Sequence, residues 1–280
     1  MYPAIVLYYN VGSIVFSFPR GGLILEFFHW VQVILNNYGA LLLKGTGVTI
    51  LLAIVGTAVG FVIGLLIGIY KTIPIRPEDP LVKRVLYKVV NFLLSAYIEL
   101  FRSTPMMVQA MVIYYGAGFL FSLRLNPVTA GMFIISINTG AYMAEIVRGG
   151  IISVDKGQFE ATHSIGMTHF QSMLYVVLPQ AIRNILPATG NQFIINIKDS
   201  CVLSVISVTD LFFQTKSAAG ATFQSFPAFF IACVIYFVLC FSITQILRYL
   251  ETKMDGADTY TIYGTEPVIN GADTLKRGDK

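Results

Sequence analysis

Three pairs of charged residues stand inside or beside apolar stretches of this 280-residue chain: Glu99 with Arg102, Glu145 with Arg148, and Lys198 with Asp199. Asn138, Thr139 and Ser200 lie in similar surroundings. A charge in hydrocarbon is costly unless paired or wetted, so each of these groups is a candidate for function. Two chemistries suit them. Hydrogen-bonded pairs would hold helices in register, which is the role expected of Glu99, Arg102, Glu145 and Arg148. Donors and acceptors along a wet path would accept a small polar solute, and Asn138, Thr139, Lys198, Asp199 and Ser200 are the candidates for that. Glu99 and Arg102 are three apart and can pair locally. Lys198 and Asp199 point about 100° apart on a helix, so each should meet other helices. Catalysis suits the chain poorly. It has no recognisable Ser-His-Asp set or paired carboxylates, and His163 and His169 lack a third ligand at metal-site spacing. Cys201, Cys233 and Cys240 form no C-x-x-C pair and read as small core residues. The dipeptide Gly-Lys never occurs, which removes the phosphate-binding loop and with it any expectation that this chain binds ATP itself.

The elements that carry these groups follow from hydropathy. Apolar residues make up 55% and charged residues 12% of the chain, against about a quarter charged in soluble proteins. Continuous apolar runs, without the alternation of lipid-facing strands, predict an all-α integral membrane protein with a five-helix core. Spans are expected at 41–70, 89–119, 127–147, 188–208 (the most polar) and 227–247. They set a transmembrane domain at 39–250 and an amino-terminal segment at 1–38. That segment holds apolar stretches at 5–18 and 23–35, the second suited to an interfacial helix or a further span. Residues 251–280 form a polar tail. With the first cation at Arg20, no cleaved signal peptide is expected.

Lys and Arg set the orientation. Placing the 71–88 loop inside collects Lys71, Arg76, Lys83, Arg84, Lys88, Arg148, Lys156, Arg183, Arg248, Lys253 and the tail cations there. Arg20, Lys44, Arg124 and Lys216 stay outside. The amino terminus is then outside, the carboxyl terminus inside, and the long 149–187 loop cytoplasmic. The net charge of +4 is scattered and gives no nucleic-acid surface. Gly56, Gly60, Gly64 and Gly68 recur every four residues, a stripe for close helix packing within the chain or, alternatively, between subunits.

The 149–187 loop has its own pattern. Residues 157–179 read as a short helix, a glycine, and a second helix ended by Pro179, with Pro179 and Pro187 bracketing the return to the membrane. Gly166 would take the positive φ of the turn. Ile165, Met167 and Phe170 would make it greasy.

At Glu160-Ala161, Gly166, Val176, Leu178 and Pro179 the loop resembles the signature of binding-protein-dependent ABC importer permeases, with Thr162 in place of an alanine and Val176 of an isoleucine. Residues 97–105 (Tyr-Ile-Glu-Leu-Phe-Arg-Ser-Thr-Pro), 140–150, 178–183 and 198–200 are similar to segments of the polar amino acid subfamily, and 44–49 fits the entry to its first span. The resemblance covers roughly 40–248. It implies that Glu160, Ala161, Gly166, Met167, Phe170, Leu178 and Pro179 couple the chain to an ATPase dimer that carries the ATP and Mg, so that no cofactor is bound here and the chain is not itself an enzyme. It further implies a second permease chain, identical or homologous, an extracytoplasmic amino-acid-binding protein and a bacterial cell membrane. A polar amino acid, or alternatively a related solute such as an opine, would be the cargo. A zwitterion needs both donors and acceptors, which the path candidates provide. A channel or carrier that uses no ATP is a further alternative, without a visible internal repeat to support it.

Overall fold

The structure, a computed structural model, describes residues 22–254 apart from Arg76; residues 1–21, the tail from 255 and Arg76 lie outside it. Among the described residues there is no strand. Helix α1 (Gly22–Lys71) leads into α2 (Leu81–Ser103), α3 (Met106–Phe121) and α4 (Pro127–Ile152). Two short helices, α5 (Lys156–Ser164) and α6 (His169–Ser172), precede α7 (Leu178–Asp199), α8 (Leu211–Thr222) and α9 (Ser225–Met254). By length and hydropathy α1, α4 and α9 can each cross a membrane, and α2 with α3 can form a fourth, broken crossing. The fifth, α7, is too polar to pass alone. Its buried face carries Gln192 and Asn196, which need partners rather than lipid.

Helices α1 and α4 form the frame. A methyl added at Gly56, Gly60, Gly64 or Gly68 would strike Ile135, Thr139, Met143 or Val147 respectively. Both series climb in steps of four, so the helices run parallel, backbone to backbone, over about three turns. The glycine stripe is therefore an intramolecular contact in this chain. Gly140, on α4, returns the approach, its missing Cβ giving room to Ile63 and the Tyr97 hydroxyl.

Four expectations change. The boundary at 38/39 falls inside α1, a single helix of 50 residues. That is about 75 Å at 1.5 Å per residue, far beyond a 30 Å hydrocarbon layer. A lone helical glycine costs only about 1 kcal/mol, and Gly39 sits between the fully buried Ile34 and Leu42, which pack on α8 and α9. The second span is not straight: α2 and α3 meet at 112°. Pro105 cannot donate a backbone bond, and Thr104 before it is extended at φ −119°, ψ 144°. The fourth span is α7 continued by a 3-10 stretch, Ser200–Ile206, that ends at Ser207 with φ 66°. Last, α8 is an element that hydropathy did not mark. Asp210 caps it by accepting from the Phe213 N–H at 3.0 Å, and the Leu211 N–H reaches the Thr49 hydroxyl of α1.

The α1–α4 contact makes a prediction. At Gly64 an added methyl would lie 2.3 Å from Met143 Cβ and 2.6 Å from its backbone carbon. Gly64→Ala should destabilise the folded chain by about 1–3 kcal/mol, the range for overpacking. Gly116→Ala, where nothing lies within 4 Å, should not. Thermal unfolding of the purified protein in detergent compares them; equal midpoints would refute the close approach.

Candidate functional site

Two assemblies gather the candidate residues: a knuckle between α4 and α7, and a cavity at the α2/α3 bend. In the knuckle, Asp155 caps α5 by accepting from the Gly157 N–H. The helix then ends in a left-handed glycine, Gly166 at φ 80°. The Met167 N–H reaches back to the Thr162 carbonyl and the Gly166 N–H to that of His163, each at 3.0 Å, which is the Schellman arrangement. Only a residue that tolerates positive φ can hold this place. Thr168 opens α6 with a reciprocal cap, its hydroxyl accepting from the Gln171 N–H and the Gln171 side chain accepting from the Thr168 N–H.

One side of the knuckle is anchored. Met173, Val177 and Thr162 are buried, the first two in a core with Val147, Ile151 and Val154. Thr162 satisfies its hydroxyl on the Phe159 carbonyl at 2.9 Å, so a threonine fits where a smaller side chain would do. The other side is bare: Ile165 is 77% and Phe170 73% exposed. Glu160, Ala161, Gly166 and Pro179 are also exposed, while Met167 and Leu178 are half-buried. Among the described residues the Glu160 carboxylate has no hydrogen-bond or ion-pair partner. His169 stacks on Phe159 with ring centroids 6.2 Å apart and shares a cavity with Ile73, Pro74, Asp79 and Lys83 of the α1–α2 connection. Burial, and secondarily the nearby His163, hold its imidazole below the ordinary histidine pKa.

Neither Pro179 nor Pro187 ends a helix. Pro179 is the second residue of α7, directly after a π-helical turn, Met173–Val177, in which the Leu178 N–H bonds to the Met173 carbonyl. The wider turn leaves room for the ring and moves the missing donor out of the ladder. Pro187 lies within α7.

The cavity holds about 460 Å³. Its wall begins at the bend, where Pro105 releases carbonyls from the helix ladder. The buried Gln109 collects them, its amide donating to the Phe101 carbonyl at 3.0 Å and to the Thr104 carbonyl at 2.9 Å. Asn138 on α4 in turn donates to the side-chain amide oxygen of Gln109 at 2.8 Å. Around the cavity stand Arg102, Asn138, Tyr142, Gln192, Ile195 and Asp199. The Arg102 guanidinium lies 5.7 Å from the Tyr142 ring centroid, a cation–π distance. One cation, one carboxylate and two amides thus face a single volume.

The candidates divide accordingly. Asn138 and Asp199 line the cavity. Thr139 does not: it is fully buried and donates to the Asn196 side-chain oxygen at 3.0 Å, while the Asn196 side-chain amide donates to the Thr57 hydroxyl at 2.8 Å. That chain ties α1, α4 and α7 together. Ser200 is fully buried and bonds to its own helix at the Ile197 carbonyl. Lys198 is exposed on another flank of α7, towards Cys240 of α9. Neither Lys198 nor Asp199 forms an ion pair among the described residues. Glu99 accepts from the Ser103 hydroxyl rather than from Arg102, which turns to the cavity instead. Glu145 and Arg148 do pair, at 2.8 Å. Sequence reasoning gave Tyr142 and Gln192 no role. Their signal was spacing, since Asn138 with Tyr142, and Gln192 with Ile195 and Asp199, share helix faces at intervals of three, four and seven.

Comparison with known proteins bears on both assemblies. The model of the family of binding-protein-dependent transport system inner membrane components matches residues 81–256. The glutamine transport system permease protein GlnP of Escherichia coli (strain K12) is 36% identical over 215 residues, covering 76% of this chain and 93% of that protein. The probable glutamine ABC transporter permease protein GlnM of Bacillus subtilis (strain 168) is 32% identical over 228 residues, covering 80% and 98%. Among solved structures, an amino acid ABC transporter with histidines superposes with a TM-score of 0.69 at 38% identity, covering 79% of this chain and 97% of that one. The inward-facing MetNI methionine ABC transporter, at 22% identity and a TM-score of 0.63 over 76% and 95%, shares the fold. This multi-pass membrane chain belongs to the family of binding-protein-dependent transport system inner membrane components.

Proposed function

We propose that the chain is the permease of an ATP-driven importer of polar amino acids, in which the knuckle at residues 160–179 docks an ATPase dimer and the cavity at the α2/α3 bend accepts the solute. The observation that carries this reading is the knuckle: a doubly capped turn, anchored on one side and offering Glu160, Ile165 and Phe170 on the other. Exposed apolar side chains beside an unpaired carboxylate are what a partner groove would cover. The chain holds its amino terminus outside and its carboxyl terminus in the bacterial cytoplasm, in line with the distribution of Lys and Arg. A second permease chain and an extracytoplasmic binding protein complete the assembly, as the family description supports.

The cavity suits a zwitterion. Asp199 offers an anion to an ammonium, Arg102 a cation to a carboxylate, and Asn138 and Gln192 offer amide donors and acceptors to a polar side chain. Glutamine, named for the relatives from Escherichia coli and Bacillus subtilis, fits that set. The buried Thr139 and Ser200 act as supports of α4 and α7 rather than as contacts to the solute, and Lys198 lies on another flank of α7.

Three outcomes are expected. Glu160→Ala should weaken co-purification of the ATPase by about ten- to a hundredfold, since losing a hydrogen bond to a charged group costs about 1.5–3 kcal/mol; capture at full strength would remove Glu160 from the joint. Asp199→Asn should abolish amino acid uptake into proteoliposomes while membrane insertion and ATPase binding persist, and uptake at the normal rate would take Asp199 off the path. The His169 ring should titrate below the usual histidine value of about 6.5. A depressed folded pKa means that the packed knuckle is stable above the ordinary histidine pKa and loses stability as pH falls below it. Ring-proton NMR of the purified chain should find this, with Phe159→Ala moving the value back up; an unshifted His169 would contradict the packing.

A further inference from the structure

The connection from α1 to α2 and the first turns of α2 carry chemistry that neither the knuckle nor the cavity uses. Of the long helices, α2 is the most strongly amphipathic. Leu81, Val82, Val85, Leu86, Val89 and Phe92 form an exposed apolar arc, spaced as one face of a helix. Arg84, Lys88 and Ser95 run along one edge of that arc, at steps of four and seven. The cations differ in their needs. Lys83 is held at 2.7 Å from the Asp79 carboxylate and is neutralised there. Arg84 gives a single weak hydrogen bond, to the Pro77 carbonyl at 3.4 Å. Lys88 has no hydrogen bond or ion pair among the described residues. Both unneutralised cations, with Ile75, Pro77 and Tyr87, line one cavity of about 290 Å³. The Tyr87 ring is fixed by stacking on Tyr70 at 5.2 Å.

We propose that Arg84 and Lys88 hold the phosphate of an anionic phospholipid, whose acyl chains lie along the exposed arc of α2. The guanidinium supplies a planar fork for phosphate oxygens and the ammonium a second point charge. A soluble phosphate would satisfy the cations and leave the apolar arc without a partner. A zwitterionic lipid would cover the arc but bring its own cation against Arg84 and Lys88. Cations that served only to set topology would need neither a shared cavity nor alignment beside an apolar face. In the orientation proposed above this is the inner leaflet, where anionic headgroups attract basic residues next to a span. The bound lipid would brace the same connection that shares a cavity with His169 of the knuckle.

The test uses the full-length chain, delipidated in detergent, so that it depends neither on orientation nor on the transport reading. Phosphatidylglycerol and phosphatidylcholine with identical acyl chains are titrated separately, and bound lipid is counted by native mass spectrometry. The expected result is tighter binding of phosphatidylglycerol, weakened about fivefold by Lys88→Gln and about 30-fold by Arg84→Gln with Lys88→Gln, at ~1 kcal/mol for each cation. Arg124→Gln, in the turn between α3 and α4, removes the same charge elsewhere and should change nothing. Because Lys88 has no hydrogen-bond or ion-pair partner among the described residues, Lys88→Gln tests the site without disturbing α2. Equal binding of the two lipids, or undiminished binding by Lys88→Gln, overturns the proposal. Displacement of phosphatidylglycerol by inorganic phosphate overturns it too, and marks a site for soluble anions instead.

Discussion

Hydrocarbon offers no hydrogen bonds, so a polar group that enters it must arrive with its partner. Most of the interior of this chain can be understood from that constraint. Where Pro105 breaks the second span, the carbonyls it releases are met by one buried glutamine, Gln109, and Asn138 then satisfies that glutamine from α4. Where α1, α4 and α7 converge, Asn196 bonds to Thr57 on one side and Thr139 on the other. The cavity lies at this bend, which side chains stabilise rather than straighten, beside the joint that Gln109 and Asn138 make between α3 and α4. Arg102, Asn138 and Asp199 can then face water, or a solute, instead of lipid.

At the other end of the molecule the same economy serves a different purpose. Caps at Asp155, Gly166 and Thr168 satisfy the termini of two helices too short to persist alone. The buried side of the knuckle continues the core of α4 through Val147 and Ile151. It is therefore stiff, and joined to α7 by a helical path that includes a π turn. A push on Phe170 or Ile165 would be delivered to α7, which carries Gln192 and Asp199, rather than absorbed in a loop.

Much of this was legible in the sequence, for identifiable reasons. The spans announced themselves as apolar runs, the knuckle as residue types at fixed spacing, and the left-handed turn as Gly166. What escaped depended on partners. Pro105 and Pro187 look alike as isolated signals, yet one bends the chain through 112° and the other sits within α7. The difference is that Gln109 is placed to collect the freed carbonyls at the first. Helix α8 is short and its only local mark was Asp210, a cap that reads as an ordinary polar residue until its helix is seen. Division of the polar residues into cavity and support required the rotation of α7 about its axis, which Thr139 and Asn196 set through a contact between residues 57 apart.

The glycine seam between α1 and α4 limits how such a molecule can move. Its four points of contact repeat every turn on both helices. A slide of one helix along the other by part of a turn would drive Ile135 or Met143 into backbone that has no slack for it. The next allowed register lies a whole pitch away, about 5.4 Å, and would break the Thr57–Asn196–Thr139 series. The pair therefore behaves as one rigid beam. Any opening and closing around the cavity falls to the seams that lack this interlock, those of α7 and of the α2–α3 elbow.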